Sequence, residues 1–105
     1  MSIPSSDDGV IEQAILPIRA GETADFEDAF AEARPIIERA QGFRWLRLQR
    51  GIERRNEYLL LVGWDTVDSH RVGFRTSPDY ETWRRLLHHF YDPFPTVHYF
   101  VTVAD

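Results

Sequence analysis

The sequence predicts a small α+β domain built in the order β-α-β-β-α-β. Three observations carry that reading. Apolar spacing switches from strand-like alternation to a helical period and back along the chain. A polar turn at Glu53-Arg54-Arg55-Asn56 joins two runs of strand character, which reads as a hairpin. Those two runs carry large apolar groups on both sides, so the sheet needs cover on both faces.

The elements follow in chain order. Residues 1–9, MSIPSSDDG, are small, polar and turn-prone, and read as a flexible tail ahead of one domain spanning residues 10–105. Val10 to Ile18 is a first strand ended by Gly21, and Pro17 near its end suggests an edge position or a bulge. Phe26, Phe30, Ala33, Ile37 and Ala40 then form one helical stripe, with Thr23 or Asp25 as a cap and Gly42 at the end. Pro35 lies inside this helix, where it withholds a backbone donor and is expected to kink it.

Phe43 to Ile52 and Glu57 to Trp64 make the hairpin. Tyr58, Leu60, Val62 and Trp64 share one side, and Leu59 and Leu61 the other. Helices cover one face. A second copy's sheet is the economical cover for the other. Asp65 or Thr66 caps a short helix to about Phe74, and Ser77 or Asp79 opens another to about Phe90, with Pro78 suited to its first turn. After the aromatic turn Tyr91-Asp92-Pro93-Phe94-Pro95, Thr96 to Val103 closes the chain as a strand with Val97 and Tyr99 on one face. This is the ferredoxin-like order, with a four-stranded antiparallel sheet and the second helical region broken in two.

Composition narrows the function. A chain of 105 residues fits one domain that buries roughly 65% of its unfolded surface. The formal net charge of −5 disfavours nucleic acid, which demands a basic surface. With no cysteine there is no disulfide, thiol nucleophile or thiolate-bound metal. No signal-peptide pattern or bilayer-length apolar run is present, so no membrane association and a cytoplasmic location are expected. Phosphate loops and nucleophile elbows are missing too.

The stretch WDTVDSHRVGFRTSPDYETWRRLLHHFYDPFPTVH at residues 64–98 resembles the second half of antibiotic-biosynthesis monooxygenase domains. It has a Trp-Asp pair ending a strand, an acid-Ser-His helix, a Gly-Phe-Arg-x-Ser turn, an aromatic helix and a proline-rich aromatic turn. The first half agrees more loosely, through the helix with an internal proline and the Gly42-Phe43-Arg44 hairpin entry. The resemblance implies a dimeric α+β barrel, a homodimer through sheet faces, with a pocket between sheet and helices in each subunit. Members of this group oxidise phenols, hydroquinones and related aromatics with O2, using neither flavin nor metal. The deprotonated substrate supplies the electron, so the protein needs an apolar pocket, a base and an anion holder. The haem-degrading branch uses an Asn, a Trp and a His. Those positions fall here near Ala14, Gly73 or Phe74, and Trp83, so a haem cofactor is not implied.

Candidate site residues come from the helical faces. Val67, His70 and Phe74 share one face of the short helix, which makes His70 a base or substrate donor, or else a core histidine bonded to a carbonyl. Arg75, at the break between helices, is a holder for an enolate or phenolate, or else pairs with a carboxylate or caps the helix end. His70 and Arg75 are the catalytic candidates. Trp64, Phe74, Tyr80, Trp83 and His98 are candidates for substrate binding, Tyr80 and Trp83 from a stripe that continues through Leu87 and Phe90. His98 faces either the pocket or the partner sheet. His88 and His89 point about 100° apart on a helix and read as surface or interface groups rather than metal ligands. The function expected is a cofactor-independent monooxygenase acting on a small aromatic, phenol or quinol. The alternatives are a non-catalytic dimeric barrel binding a small apolar ligand, and an isomerase or decyclase on the same scaffold.

Overall fold

A computed structural model of the chain describes residues 8–105, so residues 1–7 of the expected tail lie outside the described residues. Four strands, β1 (Val10–Pro17), β2 (Phe43–Arg50), β3 (Glu57–Trp64) and β4 (Val97–Phe100), form one antiparallel sheet in the order β2-β3-β1-β4. Helices α1 (Thr23–Glu38) and α2 (Pro78–Leu87) lie against its inner face, and the order is the ferredoxin-like one.

The alternation expected for β3 holds. Tyr58, Leu60, Val62 and Trp64 are buried, while Leu59 and Leu61 are only half-covered on the outer face. In β1, Glu12, Ala14 and Leu16 point inward, and the outward Ile15 is 48% exposed. Phe26, Phe30, Ala33, Ile36 and Ile37 of α1 pack onto the same inner side. Ile36 widens the stripe beyond the spacing read from sequence. Trp83, Leu87 and Phe90 complete the core from α2 and the single 3-10 turn that follows it, His88–Phe90.

Several local expectations are corrected. Pro17 is on an inner strand, not an edge. It is tolerated because β4 pairs with β1 only over Ile11 to Ala14, so no ladder donor is needed from residue 17. Ile18 lies past the strand, in an isolated bridge to Tyr91. Neither Thr23 nor Asp25 caps α1, whose N-cap is Glu22 without a side-chain bond; α1 runs on through Pro35. Ser77 caps α2 by accepting from the Tyr80 amide, with Pro78 next to it as expected. β2 ends at Arg50 rather than Ile52, and β4 at Phe100 rather than Val103, leaving Val101 and Val103 exposed.

The segment after β3 is the one that positions the site. Thr66 Oγ1 accepts from the Ser69 amide, and a π-helical turn, Ser69–Phe74, follows. Its signature is the Arg75 amide reaching back five residues to the carbonyl of His70 at 3.1 Å. The wider turn sets His70 and Phe74 nearly one above the other, with ring centroids 6.4 Å apart and planes at 30°. Val67 is only half-buried, so the face that turns to the sheet is carried by His70 and Phe74.

Candidate functional site

Strict alternation along β1 puts the carboxyl of Glu12 on the same side as Ala14 and Leu16, inside the core. Burying a charge is costly unless it finds partners. Glu12 finds two. Trp64, on the neighbouring strand, donates from Nε1 to Glu12 Oε1 at 2.9 Å. His70 Nε2 lies 3.4 Å from the same oxygen. Trp64 and His70 also stack, with centroids 5.3 Å apart. The hydroxyl of Tyr99 on β4 meets His70 Nδ1 at 2.7 Å. Three strands and the π-helical turn thus converge on one buried carboxyl–imidazole pair.

The two groups are pushed toward their neutral forms. Burial raises the Glu12 pKa to about 7, against the Trp64 hydrogen bond and the charge of Arg75, which both lower it. Burial lowers that of His70 to about 4, and Arg75 lowers it further. Once Glu12 ionises it can only accept. The tautomer that then suits both neighbours has Tyr99 donating to Nδ1 and the Nε2 hydrogen facing Glu12. Burial also raises the pKa of Tyr99, which keeps that donor protonated.

A cavity of about 100 Å3 opens beside this pair, between the inner sheet face and α2. Glu12 and His70 reach it, as do Phe74, Tyr80 and Trp83, while Arg75 and Phe94 stand at its exposed side. Among the described residues no carboxylate comes within ion-pairing distance of Arg75, yet its charge is felt by Glu12, His70, Tyr80, His88 and Tyr99. It is a cation available to a bound anion.

The structure therefore brings His70, Phe74, Arg75, Tyr80 and Trp83 to one cavity. Trp64 and His98, two residues the sequence puts beside a substrate, are not among its lining. Trp64 lies behind His70 and holds Glu12. His98 pairs with Gln13 and is exposed on the outer face, away from Val97, which does line the cavity. His70 and His98 are thus on opposite faces, and among the described residues no group of three His, Asp or Glu side chains is placed to hold a metal ion. His88, read from sequence as a surface or interface group, lines the cavity instead. Glu12 is the residue that sequence reasoning missed. Its signal was present, as a carboxylate two residues before Ala14 on the core face of a strand.

The sequence profile of a family described as "Antibiotic biosynthesis monooxygenase" matches residues 9–86. An uncharacterized Bacillus subtilis protein, YczJ, is 47% identical over 94 residues, covering 90% of this chain and 99% of its own. A solved Bordetella bronchiseptica structure described by the same family name is 39% identical, with a TM-score of 0.86 over 91% of this chain and 99% of that one. SnoaB from Streptomyces nogalater, described as a cofactor-independent oxygenase, shares the fold at a TM-score of 0.70 and 21% identity, covering 93% of this chain and 94% of that one.

Proposed function

The chain belongs to the antibiotic biosynthesis monooxygenase family, and from that premise we propose that it oxidises a small phenol or quinol with O2 without flavin or metal. The observation that carries this reading is the buried Glu12–His70 pair facing an aromatic cavity with a free guanidinium at its edge. A base works best when its pKa lies near the working pH. Glu12, at about 7, meets that condition better than His70, at about 4. Glu12 takes the phenolic proton. His70, neutral and fixed by Tyr99, keeps Nε2 3.4 Å from Glu12 Oε1 and so orients the carboxylate. Arg75 holds the phenolate or enolate, and Phe74, Tyr80 and Trp83 form the walls.

The anion is electron-rich enough to reduce O2. One oxygen atom replaces hydrogen on a ring carbon as a carbonyl, the other leaves as water, and the phenol gives up four electrons to become a quinone. The balance needs no further reductant. The outer sheet face, with Ile15, Trp45 and Phe100 exposed, is the surface through which two copies pair.

The test is O2 uptake by the purified protein with a panel of phenols and hydroquinones. Uptake above the spontaneous rate that falls at least 100-fold in Glu12→Gln and at least tenfold in His70→Ala is expected. Uptake that survives Glu12→Gln unchanged removes the base. No uptake with any compound removes the oxygenase reading. Substrate isomerised with O2 excluded points instead to proton transfer by the same pair.

A further inference from the structure

His88 sits on the cavity wall with no part in the chemistry above. Its imidazole packs among aromatic rings, with centroid distances of 5.9 Å to Tyr80, 5.5 Å to Tyr91 and 5.0 Å to Phe94. Among the described residues its ring nitrogens make no hydrogen bond. A half-buried imidazole with no hydrogen-bond partner, lining a cavity of otherwise mostly apolar walls, has a hydrogen bond to offer a ligand.

A belt of rings links it to the other pair. His70 is followed by Phe74 at 6.4 Å, Phe74 by Tyr80 at 5.4 Å, and Tyr80 by His88 at 5.9 Å. Two aromatic side chains thus stand between the Glu12–His70 pair and His88. Besides Arg75 at its exposed side, the cavity has polar groups at the Glu12–His70 pair and at His88, with aromatic surface between those two.

Its volume of about 100 Å3 limits what spans those points. Sites for drug-sized ligands run from about 300 to 1,000 Å3, and a cavity of about 150 Å3 encloses benzene. One ring fits with an edge in the mouth beside the exposed Phe94. Two fused rings would leave most of the second ring outside.

We propose that His88 is a specificity-determining residue that hydrogen-bonds a second hydroxyl, so that the cavity selects a single-ring diol with hydroxyls at opposite ends of the ring. One hydroxyl meets Glu12 and the other meets His88. Burial, with the charges of Arg84 and Arg75, holds the His88 pKa down at about 4, so the imidazole is neutral and keeps a lone pair for that hydroxyl. The inference rests on the oxygenase reading only in taking this cavity as the substrate site.

The experiment measures binding with O2 excluded, so that no turnover is required. Titration calorimetry compares 1,4-dihydroxybenzene, phenol and 1,4-dihydroxynaphthalene on the full chain and on His88→Leu. The wild type is expected to bind the single-ring diol at least tenfold more tightly than either other probe. His88→Leu should bring diol and phenol to within threefold of each other and leave phenol affinity within threefold of wild type. Equal affinities in the wild type, or a diol preference that survives in His88→Leu, overturn the proposal. Naphthalenediol binding as tightly as the single-ring diol overturns the size limit. Should His88→Leu not fold, the 15N resonances of His88 in the wild type decide: a shift with the diol but not with phenol supports the contact, and no shift with the diol overturns it. A preserved diol preference alongside absent O2 uptake would remove the oxygenase reading and leave this inference standing.

Discussion

Trp64 and Glu12 are joined across two adjacent strands by one hydrogen bond, Nε1 to Oε1 at 2.9 Å, and that bond is what holds the carboxyl in place beside His70. The indole also forms the floor under the imidazole, and Phe43 packs edge-on against it at 6.0 Å. Trp64→Phe keeps most of the apolar volume and removes the donor. Since the bond lowers the Glu12 pKa, its loss should move that pKa up from about 7. The pH–rate profile should then shift toward alkali by about one unit, with a stability loss of about 1–3 kcal/mol. An unshifted profile in a folded variant would mean that Glu12 does not set the rate.

Glu12 and His70 act on stability in opposite directions of pH. The folded pKa of Glu12 lies above its ordinary 4.5, so its favourable contribution is full below pH 4.5, declines as pH rises, and is gone above about 7. The folded pKa of His70 lies below its ordinary 6.5, so its contribution is full above 6.5 and is lost as pH falls toward 4. Between those limits the two slopes offset each other. Glu12→Gln removes only the alkaline loss. Urea denaturation should find the variant close to wild type at pH 5 and more stable at pH 8, by up to about 3 kcal/mol. A difference that does not change with pH contradicts the raised pKa.

The fold was legible because its signals are periodic. Phe26, Phe30, Ala33 and Ile37 recur at helical spacing, and Tyr58 to Trp64 alternate as a strand covered on one face by the helices. The π-helical turn was not legible, since Val67, His70 and Phe74 fit an ordinary helix equally well by spacing. His88 was misread for a related reason. Leaving α2 by a 3-10 turn changes the angle per residue, so the wall it joins does not follow from counting along one helix. Glu12 was missed because β1 was read by its apolar members alone. A buried acid is conspicuous only when its strand face is counted along with them.

Gly42 ties the hairpin entry to the turn that carries His70. Its φ of +87° is strained for any other residue, and a Cβ there would collide with the side chain of Ser69. The carbonyl of Gly42 accepts from the Asp65 amide at 2.8 Å, so the backbone has little room to retreat. Gly42→Ala should cost about 1–3 kcal/mol and displace Ser69, the residue next to His70. The check is a thermal melt together with the ring resonances of His70. A variant that melts with the wild type and leaves those resonances unmoved would show that the turn is set from elsewhere.

The outer sheet face gives the last prediction. Trp45 on β2 lies across Gly63 on β3, where a Cβ would collide with the indole, so the missing side chain is what lets the ring lie flat on the sheet. Ile11 stands opposite Gly63 on β1 and Phe100 opposite Ile11 on β4, extending one row across the sheet, and Ile15 lies further along β1. Ile15 is 48% and Phe100 50% exposed, large apolar side chains on a face that no helix among the described residues covers. Stacked sheets pack at about 10 Å, and two such faces offer the apolar surface for that contact. Placing a charge on both strands, Ile15→Lys with Phe100→Glu, leaves the inner core untouched and makes pairing costly. Analytical ultracentrifugation should find the wild type as a dimer and the double variant as a folded monomer. A wild-type monomer at micromolar concentration, or a double variant that still pairs, would mean that this face is not the interface.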